Sequence, residues 1–468
     1  MVFSTAAFLY FFLPLFLVSY VLLPWKNAVA LAFSLFFFTW GEGAYVVLLL
    51  LVIFVNYLAG SLIAQTDDDS GRRRYLAIGV VANLLVLGYY KYWGFLLTDF
   101  FGIDADASAI PQLPLGISFF IFQSISYLID VARREAKPAR GYFDLALYIA
   151  MFPQLIAGPI VRYGSVARSL RERSIDFAAA FRGIQLFVLG LSYKVLIANH
   201  VAEVADLTFD ANPAHLGQTT AWLGITAYTL QIFFDFAGYS LMAIGLGRVM
   251  GFSFPRNFNY PYIATSITEF WRRWHMSLSS WFRDYFYIPL GGNRNGPWRT
   301  YRNLVLVFLL CGLWHGAAWT FVAWGAYHGS FLVLERIGLQ RLLTRVPALV
   351  GHAYLLLVVM IGWVLFRADS FAHAVSYLKA MFLGFDVRFP MMPAEVLSHE
   401  NGLIMLIGLL LSLPLLEGTR WRHWDENEAG TMNPSQIVID VILMVLLLTL
   451  CSVFVMAGTY NPFIYFRF

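Results

Sequence analysis

The sequence has few charged residues and little cysteine. Only 13% of its 468 residues are charged, against about 25% in soluble domains. A chain of this kind cannot cover a water-facing surface, which excludes a large soluble enzyme. Cys311 and Cys451 both lie in apolar runs, so no disulfide framework is expected. The net charge of +4 comes from a few short basic loops, which argues against nucleic-acid binding.

Hydrophobic side chains dominate what is present. They make up 59% of the residues, and the mean hydropathy is +0.66. The apolar runs are continuous and lack the alternation of a lipid-facing β-strand. Because backbone amides in lipid must be satisfied within helices, the sequence predicts an all-α, polytopic integral membrane protein.

Windows of about 20 apolar residues predict ten to twelve transmembrane helices. The best candidates are 6–24, 45–64, 75–97, 113–129, 177–198, 219–238, 353–367, 403–416 and 437–456. Segments 28–40 and 142–159 are shorter or interrupted by Pro and Gly, and we expect half-helices or re-entrant segments there. No internal repeat or hydrophilic linker divides the chain, so a single domain over residues 1–468 is expected.

Lys and Arg collect in four clusters, which lie at 72–74, 133–140, 162–173 and 272–302. The span count places all four on one side if 142–159 enters and returns without crossing. The positive-inside rule makes that side the cytoplasm.

The densest polar stretch, 265–303, predicts an amphipathic helix. At 100° per residue, Arg272, His275, Ser279 and Arg283 fall within about 80° of one another, while Trp and Tyr share another face. Two interpretations stay open. The helix is either an interfacial anchor with its tryptophans at headgroup level, or a cationic entry for a phosphorylated substrate.

A turn-rich loop follows at 289–297, with the sequence PLGGNRNGP. We expect its exposed backbone amides, with Arg294 and Arg299, to suit a phosphate group.

A second candidate site lies inside the apolar run 304–334. As one straight helix this run would be about 46 Å long, which exceeds the hydrocarbon core, so a break is predicted near 312–316. His315 would then lie near mid-membrane, where an ionisable group points to function. Imidazole can take up and return a proton during acyl transfer. The alternatives are a neutral histidine held in the bundle, or a nucleophile pair with Cys311 one helical turn earlier.

Other polar residues in apolar runs have less specific predictions. Asp235 is expected either to orient a histidine or to pair with Arg or Lys. His328 is expected to be structural, and Lys91 and Lys194 are expected to extend to the membrane interface.

The motifs together resemble the membrane-bound O-acyltransferase (MBOAT) family, and most closely its alginate O-acetyltransferase branch among bacterial polysaccharide acetylation proteins. The stretches that carry the likeness are 151–160 (MFPQLIAGPI), 235–240 (DFAGYS), 257–262 (NFNYPY), 270–279 (FWRRWHMSLS), 283–285 (RDY), 291–294 (GGNR) and 312–316 (GLWHG). The likeness covers most of the chain and is densest in 151–330.

The resemblance implies a helical membrane domain with a funnel or tunnel and two catalytic histidines, His315 and His275. It implies acetyl-CoA as donor, without a tightly bound cofactor or metal. The residues assigned to its phosphates are Arg272, Arg273, Arg283 and Arg294, and those assigned supporting roles are Asp235, Trp314 and Ser279. The acetyl group would cross a bacterial inner membrane toward an exopolysaccharide such as alginate or cellulose, through a periplasmic or membrane-anchored partner transferase.

One position departs from the alginate branch. Leu241 stands where that branch commonly has an acidic residue, which leaves cellulose or peptidoglycan open as acceptors. The GGNR loop argues against D-alanyl transfer. The alternative function is a transporter or channel for polysaccharide precursors or acyl groups, in which His315 lines a path without chemistry.

Overall fold

The structure is a computed structural model, which describes residues 2–104, 106, 108, 110–212, 215–384, 391–415, 434–458 and 460–462. Within these residues the regular structure is helical, apart from one isolated β-bridge between Leu216 and Met391. The chain is therefore an all-α polytopic membrane protein, as predicted.

The described residues group into two compact units. The first unit comprises the described residues within Met1–Val188, Tyr239–Pro255 and Glu426–Ile442. The second comprises those within Leu189–Gly238, Arg256–Asp425 and Leu443–Phe468. The expected single domain over 1–468 stays a prediction.

Helices of the first unit come largely from the N-terminal part of the chain. They are Phe8–Phe12, Leu13–Leu22, Lys26–Glu42, Tyr45–Gln65, Asp69–Leu87, Gly88–Tyr92, Trp93–Phe95, Leu96–Phe100, Ile117–Ala132, Tyr142–Ala150, Phe152–Leu155 and Tyr163–Val166. Three long helices contribute residues to each unit, namely Phe177–Ser192, Gln218–Val249 and Pro434–Met456.

The second unit holds the chemically interesting motifs. Its helices are Tyr193–Ala198, Asn199–Phe209, Pro261–Ile263, Ile267–Arg273, Met276–Phe282, Arg283–Tyr287, Pro297–His315, Trp319–Leu334, Glu335–Leu339, Gln340–Leu343, Ala348–Arg367, Phe371–Leu383, Pro393–Val396 and His399–Leu411.

Six helices among the described residues are long and apolar enough to cross a membrane. They are Tyr45–Gln65, Asp69–Phe100, Phe177–Phe209, Gln218–Val249, Ala348–Arg367 and Ser435–Met456. Three shorter apolar helices are Phe8–Leu22, Ile117–Ala132 and His399–Leu411. Each of the nine best candidate windows falls on one of these nine helices. The count of ten to twelve spans and the cytoplasmic placement of the basic clusters stay predictions.

The predicted interruption in 142–159 is present. Tyr142–Ala150 is separated from Phe152–Leu155 by Met151, whose ψ of 114° is not helical. At about 1.5 Å per residue, neither helix is long enough to span a bilayer. The segment 28–40, by contrast, lies inside one continuous helix of 17 residues, Lys26–Glu42.

The predicted break near 312–316 is also confirmed. The helix Pro297–His315, called the His315 helix below, ends where Gly316 adopts an extended conformation. The helix Trp319–Leu334, called the Trp324 helix below, follows after three residues. A Cβ atom on Gly312 would lie 2.2 Å from the Phe321 carbonyl oxygen, so the two helices approach closely only because this residue is glycine.

Candidate active site

His315 is the last residue of the His315 helix and is buried. Its ring lies 4.9 Å from that of Trp314, 5.2 Å from that of Trp324 and 5.1 Å from that of Phe366, between ring centroids. Three aromatic rings thus surround the imidazole. They cover most of the residue, which is 7% exposed.

His275 lies at a sharp turn. It adopts a left-handed backbone conformation, with φ 42° and ψ 55°, between the helix Ile267–Arg273 (the Trp271 helix) and the helix Met276–Phe282. Such a conformation costs a non-glycine residue about 1–2 kcal/mol. Backbone hydrogen bonds on both sides of His275 stabilise this conformation. Asn259 N–H donates to Arg273 O and Met276 N–H donates to Asn257 O, both at 2.9 Å.

The prediction of one amphipathic helix through Arg272, His275, Ser279 and Arg283 is therefore wrong. The turn at His275 starts a new helix, so these residues do not share one helical face. The aromatic face is not an interfacial anchor either, because Trp271 and Trp274 are buried in protein. Trp271 packs on Trp324 at 5.5 Å, and Trp274 packs on Trp363 at 5.0 Å.

Asn257 determines which ring nitrogen of His275 carries the proton. Its Oδ1 accepts a long hydrogen bond from Ser277 N–H at 3.3 Å and lies 3.4 Å from His275 Nδ1. Because Oδ1 can only accept, Nδ1 must be the donor in a neutral ring. The lone pair then lies on Nε2, which is buried and has no hydrogen-bond partner among the described residues. His275 is thus arranged to accept a proton or a hydrogen bond at Nε2.

Trp314 brings the two histidines together. Its ring lies 6.1 Å from that of His275 and 4.9 Å from that of His315, and all three side chains are buried in the second unit. The sequence places His275 and His315 forty residues apart. Packing against one indole turns them into a single candidate site.

His328 belongs to the aromatic layer next to this site. It is fully buried on the Trp324 helix, 5.0 Å from the Trp324 ring and 5.2 Å from the Trp271 ring. Its Nε2 would lie only 2.6 Å from a Cβ atom on Gly362. This close packing agrees with the expected structural role. Cys311 is a buried free cysteine in the same helix as His315.

Two of the four arginines assigned to phosphates, Arg273 and Arg283, form ion pairs with acidic side chains. Arg272 and Arg294 are exposed, and Arg283 is exposed but forms an ion pair of 2.7 Å with the neighbouring Asp284. Arg273 is half-buried and pairs with Glu269 at 2.9 Å. Arg272 and Arg294 therefore have the positive charges most available to a phosphate.

The loop after Tyr287 has fewer amides to offer than predicted. The N–H groups of Leu290, Gly291, Gly292 and Arg294 already donate to backbone carbonyls. Asn303 is buried and supports the loop, since its Nδ2 donates to Leu290 O and Gly292 O at 3.3 and 3.2 Å. The loop thus has a defined shape, and the exposed side chains of Arg294 and Arg299 remain available to bind an anion.

Glu269 stabilises the segment before the turn. It accepts from Thr265 N–H at 3.0 Å and from Arg273 Nε at 2.9 Å. Burial raises the pKa of this carboxyl, but the hydrogen bonds from Thr265 and Arg273 outweigh burial and hold the pKa below its usual 4.5.

The remaining predicted residues lie elsewhere. Asp235 pairs with Lys194 at 2.8 Å, with both side chains buried, so Lys194 does not extend to an interface. Lys91 is likewise buried and donates to Ser118 at 3.0 Å. Ser279 is half-buried, with its Oγ 3.4 Å from Trp274 O.

The sequence reasoning missed two groups of residues at this site. Trp324 and Phe366 enclose His315, and Asn257 and Glu335 hold the segment that bears His275. Asn257 begins the stretch 257–262, which is one of the motifs that carry the family likeness, but the motif did not indicate what Asn257 does. Glu335 is a lone acidic residue at the end of a long apolar run, and this isolation was the only signal it offered.

Comparison with known proteins places this geometry in context. A sequence model of the membrane-bound O-acyltransferase family, MBOAT, matches residues 11–372. The chain is 39% identical to the probable alginate O-acetylase AlgI of Azotobacter vinelandii, over 100% of both chains. It is 40% identical to the protein of the same name from Pseudomonas putida, again over 100% of both. It is 36% identical to the peptidoglycan O-acetyltransferase of Helicobacter pylori, over 81% of this chain and 80% of that one.

Proposed function

Because the chain belongs to the membrane-bound O-acyltransferase family, and is therefore an acyltransferase, we propose that it transfers acetyl groups from cytoplasmic acetyl-CoA toward an exopolysaccharide. The membrane would be a bacterial inner membrane, and the final acceptor a polymer such as alginate or cellulose. A periplasmic or membrane-anchored partner transferase would complete the transfer. Because members of this family are acyltransferases, family membership argues against the alternative function, a channel without chemistry.

The observation that carries the proposal is the pair of buried imidazoles against Trp314. In acetyl transfer the acceptor O–H loses its proton as its oxygen attacks the thioester carbonyl. The new C–O bond forms, the C–S bond breaks, and the proton passes to the CoA sulfur. His315 takes the proton from the hydroxyl and returns it to the leaving thiolate, since imidazole serves both steps near neutral pH.

His275 supplies a second polar group in the same enclosure. Its Nε2 accepts a hydrogen bond from a second donor group of the acceptor molecule, which orients the reacting hydroxyl toward His315 and the thioester. Arg272 and Arg294 hold the CoA phosphates, because a guanidinium donates in a fork that matches two phosphate oxygens. The full-length likeness to proteins named alginate O-acetylases supports alginate as acceptor, whereas Leu241 keeps cellulose and peptidoglycan open.

The test uses the purified full chain in lipid nanodiscs with labelled acetyl-CoA. CoA release, with water taking the acetyl group as acetate, should occur in the wild type and fall by about 10²–10⁴-fold in His315→Ala, the range that general acid–base catalysis contributes. His200→Ala is the matched control, because this histidine pairs with the exposed Glu400 in the same unit. Equal activity of His315→Ala and wild type, at equal amounts of folded protein, would remove His315 from the chemistry. The acetyl content of each secreted polymer, measured by NMR in expressing cells, identifies the acceptor.

A further inference from the structure

Glu335 is a buried carboxylate that the chemistry above does not use. It follows the Trp324 helix and is 2% exposed. Its Oε1 accepts from Ile267 N–H at 2.6 Å and from Tyr354 O–H at 3.0 Å. Its Oε2 accepts from Thr268 N–H at 2.9 Å and Thr268 Oγ–H at 2.6 Å. Four donors thus satisfy both oxygens.

These bonds hold the first turn of the Trp271 helix. The first N–H groups of any helix have no partner within it, and Glu335 supplies acceptors for two of them, on Ile267 and Thr268. A seven-residue helix is too short to be stable alone, so contacts with the rest of the protein determine where it lies.

The opposite end of the same helix leads into His275. Asn259 N–H binds Arg273 O there, and Met276 N–H binds Asn257 O. The helix is therefore fixed at both ends, and its length of about 10 Å makes it a short rigid connection between Glu335 and His275. A shift at the Glu335 end would therefore displace the turn that bears the imidazole.

Burial of the helix does not depend on Glu335. Trp271 packs against Trp324 and Phe308, at 5.5 and 5.1 Å between ring centroids. Removing the carboxylate charge therefore leaves the helix packed but weakens the contacts that define its exact position.

We propose that Glu335 is a positioning residue for acyl transfer, acting through His275 by holding the Trp271 helix in register. The inference rests on the proposed role of His275 and adds a residue of this chain that determines where that imidazole lies.

The test compares Glu335→Gln with wild type. The amide keeps the size of the side chain but replaces one acceptor by an NH₂ group that faces backbone donors. Because a misplacement of about 1 Å at an active site costs on the order of 10²-fold in rate, we expect kcat to fall by roughly tenfold or more. The KM for acetyl-CoA should change less than kcat, because Arg294 lies outside the Trp271 helix and only Arg272 lies on it. Tyr354→Phe, which removes one of the four donors, should show a smaller loss in the same direction.

A double-mutant cycle separates positioning from stability. In a His275→Ala background, Glu335→Gln should cause no further loss of kcat, because residues that act as a unit are non-additive. Glu395→Gln, an exposed carboxylate in the same unit, is the matched control and should behave as wild type.

Three outcomes overturn the proposal, and the first two leave the proposed function intact. An equal loss of kcat from Glu335→Gln in both backgrounds, or a lower melting temperature with unchanged kcat, makes Glu335 structural only. If His275→Ala alone keeps full activity, the role proposed for His275 is wrong and positioning through it fails with it. Should Glu335→Gln not fold, Tyr354→Phe carries the same cycle.

Discussion

Lys194 and Asp235 form an ion pair of 2.8 Å in which each side chain is only 2% exposed. The two residues lie on different candidate spans, Phe177–Phe209 and Gln218–Val249. Lys194 also donates to the carbonyl oxygen of Pro462. The pair therefore ties together two membrane helices and Pro462, and the three residues Lys194, Asp235 and Pro462 all belong to the second unit.

Breaking this pair should be more damaging than replacing it. Asp235→Asn leaves the Lys194 charge buried without its counter-ion, and such single changes cost about 3–5 kcal/mol. The double variant Lys194→Met with Asp235→Leu should recover much of the stability, because an apolar pair carries no buried charge. Thermal unfolding in detergent measures both. A double variant no more stable than Asp235→Asn would show that the pair does more than neutralise charge.

The close approach of the His315 and Trp324 helices should be sensitive to one methyl group. In Gly312→Ala the new Cβ would lie 2.2 Å from the Phe321 carbonyl oxygen, which is backbone and cannot move aside. We expect destabilisation of about 1–3 kcal/mol from overpacking, and reduced acetyl transfer because His315 ends the displaced helix.

Gly88→Ala is the control for that change, since it has helical φ and no atom within 4 Å of its added Cβ. This substitution should be neutral or slightly stabilising. Unfolding temperature and acetyl transfer are measured on both proteins. Matching behaviour of the two variants would contradict the close packing at Gly312.

The Glu269 carboxylate should stabilise the protein in a pH-dependent way. Its pKa lies below the usual 4.5 in the folded state, so its contribution is fully present above that value and is lost as the pH falls through the folded pKa. Glu269→Gln should therefore lower the unfolding temperature at pH 7, and the difference from wild type should shrink as the pH falls below about 4.5. A difference that does not change with pH would assign the effect to packing.

Acetyl-CoA affinity should depend more on Arg272 than on Arg283. Both are exposed, but Asp284 already neutralises part of the Arg283 charge through its ion pair. Arg272→Gln should raise the KM for acetyl-CoA by only several-fold, because exposed charges are screened by salt. Arg283→Gln should have a smaller effect, because Asp284 already neutralises part of the Arg283 charge. Arg345→Gln is an exposed control in the same unit. If the KM is the same in all three variants and wild type, this surface does not bind the donor.

The sequence by itself determined the class of the molecule and the break beside His315. Few charges and continuous apolar runs allow only a helical membrane protein, because lipid offers no partner for a free backbone amide. The run through Gly312 and Gly316 is too long for one straight span, which located the end of the His315 helix. These conclusions need only composition, length and local conformational preference.

Only the tertiary structure decided how the polar residues are used. Helical periodicity places Arg272 and His275 on one face. A left-handed turn at His275 interrupts that periodicity, and it is stabilised by hydrogen bonds from Met276 N–H to Asn257 O and from Asn259 N–H to Arg273 O. Contacts distant in sequence likewise bring Glu335 to the Trp271 helix and pair Lys194 with Asp235. Local preferences of about 1–2 kcal/mol cannot predict such positions, because several long-range hydrogen bonds and buried rings together outweigh them.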